Sequence, residues 1–176
     1  MFFTNEQGEQ AAGLFFLDNL LLWSMRAWVV GLRRGIPVEE RIEGASAKIG
    51  AADAAGQIYG FIWTLGHCAS RMIEVGCVCN PQITTDERCL IAILALAQHG
   101  RSAEAWILLR SLFTANAAVA AIASAQRLIA CLTAAGRILS PHRRSITDVR
   151  CVSAGAVPDD CRTVTLTQCS ENVPHW

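Results

Sequence analysis

Apolar residues recur at helical spacing along the first 140 residues of the chain, and the pattern then stops. The cleanest stretch puts polar or small residues at Asp53, Gln57, Gly60, Thr64, His67, Arg71 and Glu74, alternately four and three apart. Ile58, Phe61, Ile62, Leu65, Cys68, Met72 and Ile73 occupy the opposite side. This is an amphipathic helix, predicted to end near Gly76. Upstream, a long helix is predicted from about Glu6 to Arg34. Its narrow polar stripe is Asn19, Arg26 and Arg33, seven residues apart, and most of the rest is Leu, Phe, Trp, Val or Ala. A helix apolar on three sides is expected in the middle of a bundle. Gly35 is placed to end it. Pro37 fits a first helical position, with Glu39 and Glu40 in the favoured first turn of a shorter helix reaching about Ser46.

Asn80 before Pro81 cannot stay helical. Thr84-Thr85-Asp86-Glu87 then reads as a capping box, in which the Thr84 hydroxyl takes the Glu87 amide and the Glu87 carboxylate reaches back to Thr84. The apolar run from Cys89 to Ala97 follows, closed by His99-Gly100. Ser102 is expected to cap a helix over 103–114. Asn116 is expected to cap a last helix over 117–135, with Ala118, Ile122, Ala125, Ile129 and Leu132 as its inner stripe and Gly136 at its end. The elements predict an all-α fold, a single bundle of about five or six helices over 1–140 with short links. No repeat of solenoid length is present. From Pro141 onward apolar residues thin out, so 141–176 is expected to be a loose, low-hydrophobicity extension. Val164-Thr165-Leu166-Thr167 alternates weakly, but a lone strand has little to pair with.

Composition narrows the function classes. The 176 residues are 52% hydrophobic and 17% charged, with 15 basic and 15 acidic side chains. That excludes general disorder, which needs low hydrophobicity and high net charge. A dedicated nucleic-acid binder carries a basic excess, and none exists here. The small spots Arg33-Arg34 and Arg143-Arg144 are balanced by Glu39, Glu40 and Glu43 and by Asp148. The segment after Pro37 opens with acidic residues, which repel phosphate, so it is no recognition helix. The N-terminus lacks the positive start of a secretory signal. Leu14–Val30 is broken by Asp18, Asn19 and Arg26, and Ala103–Leu132 by several charges, so no membrane span is expected. The expected compartment is the cytoplasm, where cysteines are thiols or metal ligands rather than disulfides.

The Cys77-x-Cys79 pair is the chief candidate for chemistry, because it falls on a tight turn between helices. With Cys89 it supplies three soft donors, and a zinc site over Cys77, Cys79 and Cys89 is one reading. Against it, structural zinc favours wider Cys spacing, and His67 and Cys68 lie on opposite faces of their helix. Buried free thiols are the plainer reading, since Cys packs as a small hydrophobe. A redox sensor would use the same residues if a cation or helix N-terminus activated one of them. Of the histidines, His67 lies on a wet face, His99 at a helix end, and His142 and His175 in the extension. No Cys–His catalytic pair with an orienting group emerges. Capping accounts for Asp86 and Glu87. Trp23, Trp28, Trp63 and Trp106 sit at helical positions, as core anchors or, where one is exposed, as the mark of an interface.

The stretch Cys77 to Glu87, the Arg26-Ala27-Trp28 helix and the ending Leu132-Thr133-Ala134-Ala135-Gly136 resemble a group of short proteobacterial helical proteins of unknown function. The resemblance covers roughly 20–140, implies no activity, and singles out Cys77, Cys79, Asp86 and Glu87. The expectation is a non-enzymatic cytoplasmic protein acting through protein contacts, with a metal or thiol sensor at Cys77/Cys79 as the alternative. The apolar first helix and Ala-rich last helix add the expectation of a homodimer.

Overall fold

A computed structural model describes residues 15–141 and the strand 163–165. The expected helical turn-ons before Phe15, and the extension apart from that strand, lie outside the described residues. The described chain is an all-α fold. Its helices are α1 (Phe16–Arg34), α2 (Glu39–Lys48), α3 (Ala54–Cys68), α4 (Thr85–Gln98), α5 (Ser102–Leu112) and α6 (Ala115–Ala134). Two short strands, β1 (Glu74–Gly76) and β2 (Thr163–Thr165), pair antiparallel with Val75 opposite Val164.

The centre of the bundle is α4, not α1. Every residue from Cys89 to Leu96 is buried, and α4 touches α1, α5, α6 and β1. The apolar run is therefore buried on all sides, which is what a central helix requires. On α1 the predicted polar stripe is only half right. Asn19 and Arg33 are exposed, while Arg26 is 2% exposed and points inward. Phe15 and Phe16, at its start, are each 73% exposed. The helix ends as predicted, with Gly35 at φ 62° and the Ile36 amide donating to the Gly31 carbonyl at 3.0 Å.

Helix α3 stops at Cys68, well short of Gly76. Ala69 turns extended and bridges Phe113, and the Ser70 amide donates to the Leu112 carbonyl at 2.9 Å. Beyond that point the alternation of an extended chain buries Ile73 and Val75 as well as a helix face would. The 3.6 pattern through Arg71 and Glu74 was coincidental. The strand 163–165, expected to lack a partner, has one because this shortening frees β1.

Two caps shift. Ser102 is the first residue of α5 rather than its cap, and α6 begins behind Thr114 instead of Asn116. The predicted inner stripe of α6 is buried except for half-buried Ile122, and α6 lies chiefly against α3. By length and composition alone, α6 is the one helix among the described residues able to span a membrane. Here it packs as a bundle helix. None of Trp23, Trp28, Trp63 and Trp106 is fully buried, and Trp63 is exposed. They border the core rather than anchor it.

Candidate functional site

The connector 69–84 between α3 and α4 carries the cysteines, and the start of α4 holds it in place. The capping box forms as predicted: the Glu87 amide donates to Thr84 Oγ1 at 3.1 Å, and the Thr84 amide donates to Glu87 Oε2 at 2.8 Å. Capping is not the whole role of these carboxylates, however. Arg26 reaches from α1 and grips Glu87 with both arms of its fork, Nε to Oε1 at 2.7 Å and Nη2 to Oε2 at 2.8 Å. The two side chains are 3% and 0% exposed. Glu87 Oε1 also takes the Gly76 amide at 2.8 Å. Arg26 also donates through Nη1 and Nη2 to the Asn80 and Gln82 carbonyls, each at 2.6 Å. Every polar group at this node thus has a partner, as a buried charge pair requires.

Asp86 forms a second, outer node. Its carboxylate accepts from Arg71 through Nη1 and Nη2, at 2.8 and 2.5 Å, and from the Glu74 amide at 2.8 Å. Thr84 Oγ1 donates to the Glu74 carbonyl at 2.8 Å. Burial, then the charges of Asp86 and Glu87, raise the Glu74 carboxyl above its usual range, with Arg71 opposing. Gly76 passes so close to Arg26 that a Cβ there would lie 3.1 Å from Nη2. Any larger residue would press on the guanidinium, which would have to give by a few tenths of an ångström.

Between these fastenings sits the turn Cys77–Asn80, closed by the Asn80 amide donating to the Cys77 carbonyl at 2.9 Å. Asn80 Oδ1 accepts the Gln82 amide at 3.0 Å and shapes the exit. Cys77 is half-buried and Cys79 exposed, and the Cys79 thiol donates to Cys77 Sγ with the sulfurs 3.2 Å apart. Hydrogen bonds from the Cys79 amide and then its thiol lower the Cys77 thiol, with the nearby Arg34 charge helping; the same thiol contact raises Cys79.

The other candidates do not join them. Cys89 is fully buried in the apolar core. Among the described residues no group of three or more His, Cys, Asp or Glu is placed to hold a metal. His67 is exposed, stacks on Trp63 at 3.8 Å and shares Nδ1 with the Trp63 carbonyl at 2.9 Å. His99 Nε2 lies 2.9 Å from the Leu139 carbonyl. His67 and His99 thus each have a ring nitrogen engaged by the main chain. The residues that sequence reasoning missed are Arg26 and Arg71. The available signal was an arginine in an otherwise apolar helix, together with two adjacent carboxylates at a helix start.

No protein-family model, curated protein or solved structure matches this chain.

Proposed function

We propose that this is a non-enzymatic cytoplasmic helical protein whose Cys77–Cys79 turn is a thiol switch sensing peroxide. One observation carries the reading: two thiols 3.2 Å apart on a hydrogen-bonded turn, Cys77 half-buried and Cys79 exposed. A disulfide needs about 2.05 Å, so the sulfurs have little over an ångström left to travel. The chemistry balances simply. The Cys77 thiolate attacks hydrogen peroxide, giving a sulfenic acid and releasing hydroxide. Cys79 sulfur then displaces the sulfenic oxygen, its proton leaving with that oxygen as water, and the disulfide forms. The test is peroxide treatment of the reduced full chain, followed by mass spectrometry of the peptide containing 77–79. A loss of two hydrogens, absent in Cys79→Ser, supports the reading. Both thiols remaining open to iodoacetamide after peroxide would overturn it.

A second reading, action through protein contacts, is favoured by a different face. Phe15, Phe16 and Ile138 are exposed around a groove of about 530 Å³, and Leu20 and Trp23 line a neighbouring groove shared with Phe16. Exposed apolar area of this kind marks association sites. The occupant we propose is a second copy, giving a homodimer. Sedimentation should show a dimer for the native chain and a monomer for Phe16→Ser. A native monomer at high micromolar concentration removes this reading.

A further inference from the structure

The geometry points to a second use of the same turn: in its reduced form, the Cys77–Cys79 pair binds one soft monovalent metal cation, of the copper(I) class, between two sulfurs. The inference goes beyond the disulfide switch and does not depend on it, because it uses the two thiols without oxidising them.

Donor type comes first. The turn offers two sulfurs 3.2 Å apart, one half-buried and one exposed. Thiolate sulfur is a soft donor and selects soft cations over magnesium or calcium, which want oxygen. Donor number comes second. Zinc takes four ligands, and no third His, Cys, Asp or Glu joins this pair among the described residues. Copper(I) is satisfied by two thiolates. The donor set therefore matches the soft monovalent class and not zinc.

Preorganisation is the third argument. Ligand turns usually lose affinity to the ordering they undergo on binding. This one is ordered beforehand. The Gly76 amide is held by Glu87 at 2.8 Å, and the Asn80 and Gln82 carbonyls by Arg26 at 2.6 Å each. Backbone is thereby fixed on both sides of the cysteines, and only two side-chain rotamers have to adjust to let the ion between the sulfurs. Cys79 at the surface gives the ion its way in.

The experiment uses the full reduced chain without oxygen, with copper(I) offered against a coloured copper(I) chelator. Native protein is expected to withhold one ion per chain that the double variant Cys77→Ser/Cys79→Ser does not withhold. The double variant controls for every other cysteine. Cys79→Ser alone changes an exposed position, so its loss of the ion cannot be blamed on unfolding, and circular dichroism confirms that. Sulfur-edge and copper-edge absorption should report two sulfur neighbours. Equal copper retention by the native and double-variant proteins would overturn the proposal. Zinc competing at similar concentration would overturn the assignment to the soft monovalent class. Disulfide formation under peroxide is measured separately, so failure of one reading leaves the other standing or falling on its own data.

Discussion

Replacing Glu87 by Ala should be among the most damaging single changes in the chain. Four hydrogen bonds end on its two carboxylate oxygens, from Arg26 twice, Gly76 and Thr84. The substitution leaves a guanidinium 3% exposed with carbonyl partners but no counter-charge. Breaking a buried pair from one side costs about 3–5 kcal/mol, mostly as the penalty of the stranded charge. Loss of the reciprocal half of the capping box adds up to about 1 kcal/mol. Total stability of a domain is about 5–15 kcal/mol, so a fifth or more is at stake. At about 2–4 °C per kcal/mol, the melting temperature should fall by roughly 6–24 °C. Glu87→Gln keeps the shape and part of the hydrogen bonding, and should fall between the native chain and Glu87→Ala. Removing both partners is no remedy, because the Gly76 and Thr84 amides and the Asn80 and Gln82 carbonyls would be left unpaired. Urea unfolding followed by circular dichroism reads these differences, and Arg26→Met with the double variant completes a cycle for the coupling. A loss under about 1 kcal/mol for Glu87→Ala, with unchanged urea dependence, would refute the reasoning.

Three further outcomes follow from neighbouring geometry. Gly76→Ala pushes a Cβ to 3.1 Å from Arg26 Nη2, and should cost about 1–3 kcal/mol of strain in the same urea assay. Glu74 has a carboxyl raised above its usual 4.5, so its ionised form opposes folding; Glu74→Gln should raise the melting temperature at neutral pH, and the gain should vanish as pH drops below 4.5, where both states are protonated. Deleting 142–176 should leave the helical signal intact, yet amide exchange at Val75 should speed up, because β1 loses its partner strand, while the Glu74 and Gly76 amides keep their Asp86 and Glu87 acceptors.

Much of the fold was legible because its signals are local. The capping box at Thr84 and Glu87, the glycine stop at Gly35 and the stripe of α6 each depend on residues a turn or two apart. The errors arose where a distant residue decides. Arg71 and Glu74 continue a helical pattern in sequence, but Asp86 holds Arg71 and the Glu74 amide in a connector that runs extended. Arg26 looks like part of a solvated stripe until Glu87, 61 residues on, draws it inward. The role of α4 as the central helix follows from which helices surround it, and a uniformly apolar run cannot say that. At the site, the sequence identified Cys77 and Cys79 as a pair. It did not reveal that Cys89 would be absorbed into the core, because a helix start leaves the facing direction of its second turn open.

The same fastenings decide what oxidation does to the fold. A Cys77–Cys79 disulfide shortens the sulfur separation from 3.2 Å to about 2.05 Å. Something in the turn has to move. Gly76 on one side is tied to Glu87 by a buried hydrogen bond of 2.8 Å, and Asn80 on the other to Arg26 by a part-buried one of 2.6 Å. Displacing either would strand a polar group at about 1–3 kcal/mol. Cys79 and Val78 are exposed and lack such ties to the core. Movement therefore falls on these two residues, and β1 stays where it is. The expected outcome is a disulfide that changes the exposed surface of the turn while leaving the bundle and the β1–β2 pairing intact. Hydrogen exchange on reduced and peroxide-treated protein should then show equal protection at 74–76, with differences confined to Val78 and Cys79. If protection at Val75 collapses on oxidation, the Arg26–Glu87 node does not insulate the fold from the turn. The switch would then act by releasing the second strand rather than by reshaping an exposed surface.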